Sequence, residues 1–301
     1  MKEVILITGH NGQLTKEIIN LLVNSYEIRT LTTTKSKANN TSVFYWDIKK
    51  QFLDSNALKN CKHIIHLAGY SIIKPWSKNN KHLMYQSRVG GARLLFNKCK
   101  KLNIKPTTFI SASAMGIYGL AAEGTKNEED KVGTDWVSQM AKDWEDAADQ
   151  FEQLKSRVVK MRISLLISKN FSLIKYSIIS IKFGIAPIIG NKKNTINWIH
   201  IEDAARFIKE AIKNTQYKGA YNIATNNPIS QDNFIKEIQK KVCPYSLAIQ
   251  IPEFLLRIFL GKRYAIINVR LKLSVEKLIN SGFKYKYKNM EEALRKIIKP
   301  G

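Results

Sequence analysis

The first 24 residues constrain the fold of this chain more than any other stretch. Val4-Ile5-Leu6-Ile7 is a short, β-branched apolar run of the kind that makes a buried strand. Thr8-Gly9-His10-Asn11-Gly12 follows as a turn, and Leu14, Ile18, Leu21 and Leu22 then recur at helical spacing. In that order, strand, glycine turn and helix, a backbone presents free N–H groups and the positive end of a helix dipole to a phosphate. Gly9 and Gly12 have the spacing G-x-x-G. Three residues on, where a third glycine would let helix and strand pack closely, stands Thr15. Its bulk predicts a helix that sits further out or tilts. A tight strand-to-helix turn needs glycine in any case, so the pair alone leaves an ordinary α/β turn open.

The alternation continues. Residues 28–31 read as a second strand, 43–46 as a third ending at Asp47, and 64–67 as a fourth running into Ala68-Gly69. Residues 53–60 suggest a short helix and 78–102 a long one. Gly90-Gly91 inside the long helix cost stability, which predicts close packing. Residues 107–110 form a fifth strand that runs into Ser111-Ala112-Ser113-Ala114. A polar, acidic loop over 124–135, a helix over 136–154 and a sixth strand over 158–163 follow. Strands alternating with helices predict an α/β fold with a Rossmann-type, doubly wound parallel sheet. Past Leu166 the pattern weakens. Tyr221-Asn222-Ile223 reads as a strand returning to the sheet. Residues 229–301 read as mostly helical, with helices over 231–241, 252–259, 271–281 and 290–299. The expected division is a nucleotide-binding domain over 1–228, with 166–198 contributing to a small lobe, and a C-terminal substrate lobe over 229–301.

A chain of 301 residues with 44% hydrophobic content can bury a full core without staples. No apolar run nears the roughly 20 residues of a membrane span. Met1-Lys2-Glu3 leads straight into the strand, so no membrane segment or secretion signal is expected, and the expected location is cytoplasmic. Cys61, Cys99 and Cys243 are few and widely spaced, which predicts neither a disulfide framework nor a metal site. Net charge is +25 and uneven: residues 1–150 carry 21 basic and 14 acidic side chains, residues 151–301 carry 28 and 10. Such an excess can attract nucleic acid, anionic lipid or an anionic substrate. The lysines are scattered without aromatic interleaving, however, and read as a solvated surface rather than a nucleic-acid site. At the end of the second strand, where an NAD-specific site carries an acidic residue for the ribose hydroxyls, the chain has Thr32-Thr33-Thr34-Lys35. Lys35 and Lys37 offer cations to a 2′-phosphate instead, which favours NADP over NAD.

Further motifs follow the glycine turn in order: His66-Leu67-Ala68-Gly69, Gln86-Ser87-Arg88, Ile110 through Gly119, Asp143-Trp144-Glu145, Trp198-Ile199-His200-Ile201-Glu202-Asp203, then Asn222 and Pro228. Lys277 through Phe283 and Glu291-Glu292-Ala293-Leu294 complete the series. Together they resemble an atypical branch of the extended short-chain dehydrogenase/reductase superfamily, the YfcH-like epimerase family. These are NAD-dependent epimerase/dehydratase relatives with a C-terminal DUF1731 domain, and the resemblance covers nearly the whole chain. It implies that Gly9 and Gly12, with Thr8 and Asn11 beside them, face a pyrophosphate. It also implies that Asp47 lies near the adenine, Leu67, Ala68 and Gly69 along the cofactor, and Ser113 near the nicotinamide.

The departures from the superfamily pattern bear on chemistry. Ordinary members place Tyr-x-x-x-Lys on the helix after the fifth strand, the lysine tuning the tyrosine as acid or base. With Glu145 aligned to the usual glutamate of that helix, the two positions hold Val137 and Ala141, and neither transfers a proton. Thr15, Thr33, Ser164 and Lys192 are further exchanges along the expected ligand path.

Ser113 is the candidate to orient a substrate, and Tyr118 a candidate substitute acid; the plain alternatives are a strand-end serine and an aromatic wedged in a loop. Arg88, with Ser87, could grip an anionic substrate group, or could form a helix salt bridge. His200 and His66 read as structural, and Asp143, Glu145 and Asp146 as a solvated helix face. The expected activity is that of an NAD(P)-binding oxidoreductase or epimerase acting on a small polar substrate, with a homodimer expected by analogy. The alternative is a cofactor-binding sensor without catalysis.

Overall fold

The computed structural model describes residues 2–298. Eight strands make the central sheet: β1 (Val4–Thr8), β2 (Glu27–Thr32), β3 (Val43–Asp47), β4 (Phe52–Leu53), β5 (Cys61–His66), β6 (Thr108–Ala114), β7 (Arg157–Ile163) and β8 (Gly219–Ile223). Across the sheet they run β8-β7-β6-β5-β1-β2-β3-β4. All pairs are parallel except β3 with β4. The order reverses between β1 and β5. In a doubly wound sheet the crevice outside the carboxyl ends of strands at such a reversal is the ligand site.

The helices are α1 (Gln13–Leu22), α2 (Lys78–Tyr85), α3 (Gly91–Lys101), α4 (Trp136–Asp149), α5 (Ser172–Lys182), α6 (Ile201–Lys213) and α7 (Gln231–Val242), with shorter ones near the C-terminus. Successive strand residues point to opposite faces, and the core divides accordingly. Ile5 and Ile7 of β1 pack with Ile65, Ile110 and Met161 beneath α1 and α6. Val4 and Leu6 pack with Ile64 and Phe109 beneath α3 and α4. Each such side chain, fully buried, contributes about 1.5–3 kcal/mol. A third cluster joins Ile174 and Ile181 of α5 to Phe234, Ile235 and Ile238 of α7 and to Leu294 of the helix Met290–Ile297.

Several expectations are corrected. The long helix over 78–102 is interrupted by a π-helical turn at Gln86–Gly90. The close packing expected at Gly90-Gly91 is present: a Cβ on Gly91 would lie 2.9 Å from His66 Cε1 and 3.1 Å from Trp46 Cη2. Residues 53–60 hold only a short 3₁₀ turn, Ser55–Leu58, after the hairpin strand β4. The acidic loop contains a strand, Glu123–Lys126, paired in parallel with Arg270–Leu273. The helix expected over 271–281 is therefore that strand followed by the short helix Glu276–Asn280. Leu271 and Leu273 are buried while Arg270 and Lys272 are exposed, a period of two that a strand satisfies and a helix does not. Leu247–Ile251, which falls between two expected helices, is a strand paired in parallel with Ile185–Ile189. Lys299, the end of the last expected helix, lies outside the described residues.

Candidate functional site

At the reversal the loops after β1 and β5 are tied by one hydroxyl. Thr8 Oγ1 accepts the Leu67 and Ala68 N–H groups at 2.9 Å each and bonds His66 Nδ1 at 2.9 Å. With both lone pairs of the oxygen used, its proton goes to Nδ1. His66 therefore carries its own proton on Nε2, which donates to Arg88 O at 2.9 Å. Burial draws the pKa of His66 down to about 4, so the ring is neutral.

Gly9 has φ +85°, a conformation that calls for glycine, and its Cα faces Leu67 and Ala68. Gly12 N–H donates to Gly9 O at 2.8 Å and closes the turn. Gly12 caps α1 without a side-chain bond, and no acidic residue stands in the first helical turn. Asn11, Gly12 and Gln13 are exposed, so the leading N–H groups of α1 face an accessible crevice without a competing anion. Thr15 is buried, and its hydroxyl donates to Gly9 O at 2.8 Å, fastening the helix to the turn.

Around this turn the charge is positive. His10 bonds Thr30 Oγ1 at 2.9 Å, and its pKa is lowered by burial and then by Lys37 and Lys16. Lys35 and Lys37 sit exposed on one 3₁₀ turn just past β2. Asp47, at the end of β3, accepts from Lys50 N at 3.0 Å and from Tyr45 OH at 3.2 Å; the Lys50 bond chiefly holds its carboxyl below the ordinary value. The structure thus brings Thr8, Gly9, Asn11, Gly12, Leu67, Ala68 and Gly69 to one crevice mouth, with Lys35 beyond the end of β2 and Asp47 at the end of β3.

Arg88 lies beneath Gly69, where a Cβ would meet its guanidinium at 3.1 Å. It donates to Tyr70 O at 2.9 Å and Met84 O at 3.1 Å and stacks 5.3 Å from the Trp144 ring. Among the described residues it has no carboxylate partner, which removes the helix salt bridge. Burial lowers its pKa to about 10. Ser87 Oγ accepts from Tyr70 N at 2.8 Å and donates to Met84 O at 3.0 Å, so its hydroxyl is occupied in shaping the same loop.

Ser113, at the carboxyl end of β6, belongs to a buried charged cluster. Its Oγ donates to Glu145 Oε1 at 2.6 Å. Arg162 grips both oxygens of Glu145, at 2.9 and 3.0 Å, and donates to Tyr118 OH at 3.1 Å. Tyr118 OH donates to Asn222 Oδ1 at 2.6 Å. Burial works against the charge on Arg162, yet the bond and charge of Glu145 hold its pKa above the ordinary value. Tyr118 is 5% exposed, and burial, only partly opposed by Arg162 and Asn222, raises its pKa. It is linked to Ser113 through Arg162 rather than through an open cleft. Glu145 is not on a solvated face: it follows Ala141 at i+4 on the buried stripe of α4. That spacing, with a basic residue inside a strand at Arg162, was the available signal for the pair. Asp143 accepts from Tyr85 OH at 2.9 Å, and Asp146 alone of the three is exposed.

Val137 and Ala141 are both buried on α4. A Cβ on Gly116 would lie 3.1 Å from Val137 Cγ1, so methyl groups fill the volume of the expected acid–base pair. His200 caps α6, accepting from Glu202 N at 3.2 Å, and its ring lies 4.0 Å from that of Tyr287. Burial lowers its pKa to about 4, in keeping with a structural role. Ser164 Oγ donates to Ile223 O at 2.8 Å, while Thr33 and Lys192 are exposed. No group of His, Cys, Asp and Glu able to hold a metal occurs among the described residues, and no helix there is long and apolar enough to cross a membrane.

Strand order, a glycine turn at the reversal and an uncapped helix behind it define a Rossmann-type nucleotide-binding protein. Residues 5–224 match the NAD dependent epimerase/dehydratase family, and the chain belongs to that family. The epimerase family protein YfhF of Bacillus subtilis is 33% identical over 236 residues, covering 78% of this chain and 77% of its own. The epimerase family protein SH2119 of Staphylococcus haemolyticus is 28% identical over 97% of this chain and 98% of its own. Among solved structures, the human epimerase family protein SDR39U1 with NADPH superposes with a TM-score of 0.83 at 18% identity, over 98% of this chain and 99% of its own. MoeE5 in complex with UDP-glucose and NAD gives 0.77 at 17% identity, over 97% of each chain. These likenesses carry the fold, and the resemblance to epimerase-type short-chain dehydrogenases holds.

Proposed function

We propose that this chain binds NADP(H), in preference to NAD(H), in the crevice between β1 and β5, and acts in the cytoplasm on a small polar substrate. One observation carries the reading: the open N-terminus of α1, uncapped and free of acidic residues, behind a turn that only glycine can make at Gly9. Thr8, through its bonds to Leu67 and Ala68, would hold the two loops that receive the pyrophosphate. Lys35 would meet the 2′-phosphate, Asp47 the adenosine end, and Gly69 the path between. Residues 1–228 would serve the nucleotide, and 229–301 the substrate. By analogy with the superfamily, the working unit would be a dimer through α2 and α3.

A bound nicotinamide would supply or accept the hydride. The chain's own part follows from the cluster beneath. The Ser113 proton is committed to Glu145, so the hydroxyl offers lone pairs and would orient a substrate O–H or N–H. Arg88, with no carboxylate partner among the described residues, would draw an anionic group towards Gly69. Proton transfer would fall to solvent or substrate, because Tyr118 spends its proton on Asn222. The packed side chains of Val137 and Ala141 favour a second reading, a nucleotide-binding sensor without catalysis.

Calorimetric titration with NADPH, NADP⁺ and NADH tests the first claim. The expected result is roughly micromolar NADPH binding, weaker NADH binding, and loss of both in Gly12→Val, with a melting curve confirming the fold. Equal affinity for the two, or none for either, overturns it. Turnover of an alcohol, ketone or nucleotide sugar that disappears in Ser113→Ala would leave the sensor reading without support.

A further inference from the structure

An exposed apolar surface lies far from the crevice in sequence. Helix α5 is apolar on two sides. Ile174, Ser177 and Ile181 face α7 and are buried. Tyr176, Ile179 and Phe183 recur at i, i+3 and i+7 on the opposite side, and Phe183 is 84% exposed. The chain turns at Gly184 directly into the strand Ile185–Ile189. Ile185 pairs with Leu247 and Pro187 with Ile249. Ala186 and Ile188 point into the core, so Ile185, Leu247 and Ile249 form an uncovered apolar face continuous with Phe183. Tyr245, 97% exposed, precedes it in the chain. Soluble monomers rarely leave so many large apolar side chains together in water.

The surrounding charge identifies what covers this face. Residues 165–198 contain Lys169, Lys175, Lys182, Lys192 and Lys193 and no acidic residue. On α5, Lys175 and Lys182 lie between the buried and exposed apolar stripes, at the rim of the patch. A second copy would bring the same lysines against one another in a protein of net charge +25. Protruding aromatic and aliphatic side chains with a cationic rim suit a different surface, one that accepts apolar groups and is itself negative. We infer that this face seats the protein on the surface of an anionic lipid bilayer, with Phe183, Leu247 and Tyr245 entering the headgroup–acyl boundary. This is peripheral docking. A patch assembled from α5 and two short strands contains no long apolar run in the sequence.

Co-sedimentation with vesicles decides the point. Binding to mixed phosphatidylcholine and phosphatidylglycerol vesicles is expected, falling with added salt, with little binding to phosphatidylcholine alone. Phe183→Asp with Leu247→Asp should abolish it without altering NADPH affinity or the melting curve. Tyr245→Asp, at a side chain almost wholly in water, should weaken it without any risk to folding. Lys175→Ala and Lys182→Ala should each weaken it roughly fivefold. Absence of binding to the anionic vesicles at low salt overturns the inference. So does binding that survives both aspartate variants, which would reduce it to unspecific charge attraction. A dimer in sedimentation equilibrium that Phe183→Asp splits, with no vesicle binding, would assign the face to a second copy and overturn it equally.

Discussion

Two buried polar clusters flank the crevice, and they are built on opposite principles. Beneath the glycine turn the cluster is neutral. Thr8 and His66 satisfy backbone groups of Leu67, Ala68 and Arg88, and none of these bonds joins two charged groups. Beneath Ser113 the cluster is ionic, with Glu145 and Arg162 sharing two bonds and Tyr118 and Asn222 completing the shell. The first fixes the backbone shape of the loops after β1 and β5. The second fixes where the Ser113 hydroxyl points its proton. A neutral network tolerates the loss of a member at the cost of a hydrogen bond. An ionic one leaves an unpaired charge in a place that water does not reach.

The largest effect should therefore come from splitting the ion pair. Arg162→Met strands Glu145 and is expected to lower stability by about 3–5 kcal/mol in urea unfolding. The double variant Arg162→Met with Glu145→Leu should recover much of that loss, since no charge is then left buried. If the single variant costs no more than an exposed pair would, under about 1 kcal/mol, the contrast between the clusters fails.

The neutral cluster should show itself in pH. His66 titrates at about 4 in the folded protein and near 6.5 when unfolded. Between those values the unfolded chain binds a proton that the folded chain refuses. The contribution of the neutral ring is complete above about pH 6.5 and is lost as pH falls towards 4, by about 3 kcal/mol. His200, also drawn down to about 4, acts in the same window. Unfolding free energies of His66→Gln should fall less steeply than those of the wild type over that range. Equal slopes would mean that the imidazole is not held neutral.

What the sequence disclosed divides along the same line. β1, its turn and α1 were legible because strand, glycine and helix are adjacent in the chain and each is set by local pattern. Gly9 could be read for the same reason, and Gly90-Gly91 because glycines inside a helix need a packing reason. The strand Arg270–Leu273 was not legible, because its partner Glu123–Lys126 sits in a distant acidic loop with no apolar signature. Asn222 holds that region to the main sheet by donating to Lys126 O and Ser274 O, at 3.2 and 2.9 Å, contacts that no local window contains. Glu145 was misread because a charged residue on an amphipathic helix is normally solvated. Only Arg162, across α4 on β7, reverses that rule.

Thr15 offers the smallest and sharpest test, because sequence and structure assign it opposite effects. By the family pattern it is a missing glycine whose bulk should push the helix out or tilt it. In the structure its buried hydroxyl bonds Gly9 O, and that same carbonyl also receives Gly12 N–H. Thr15→Gly removes the hydroxyl bond and puts glycine into the first turns of α1, so stability should fall by about 1–2 kcal/mol. Because Gly12 still closes the turn and the leading N–H groups of α1 keep their direction, NADPH affinity should not rise. A variant that binds NADPH clearly more tightly would show that the threonine obstructs the site. Lower stability with unchanged affinity would show that the chain has replaced a packing glycine by a fastening and kept the turn.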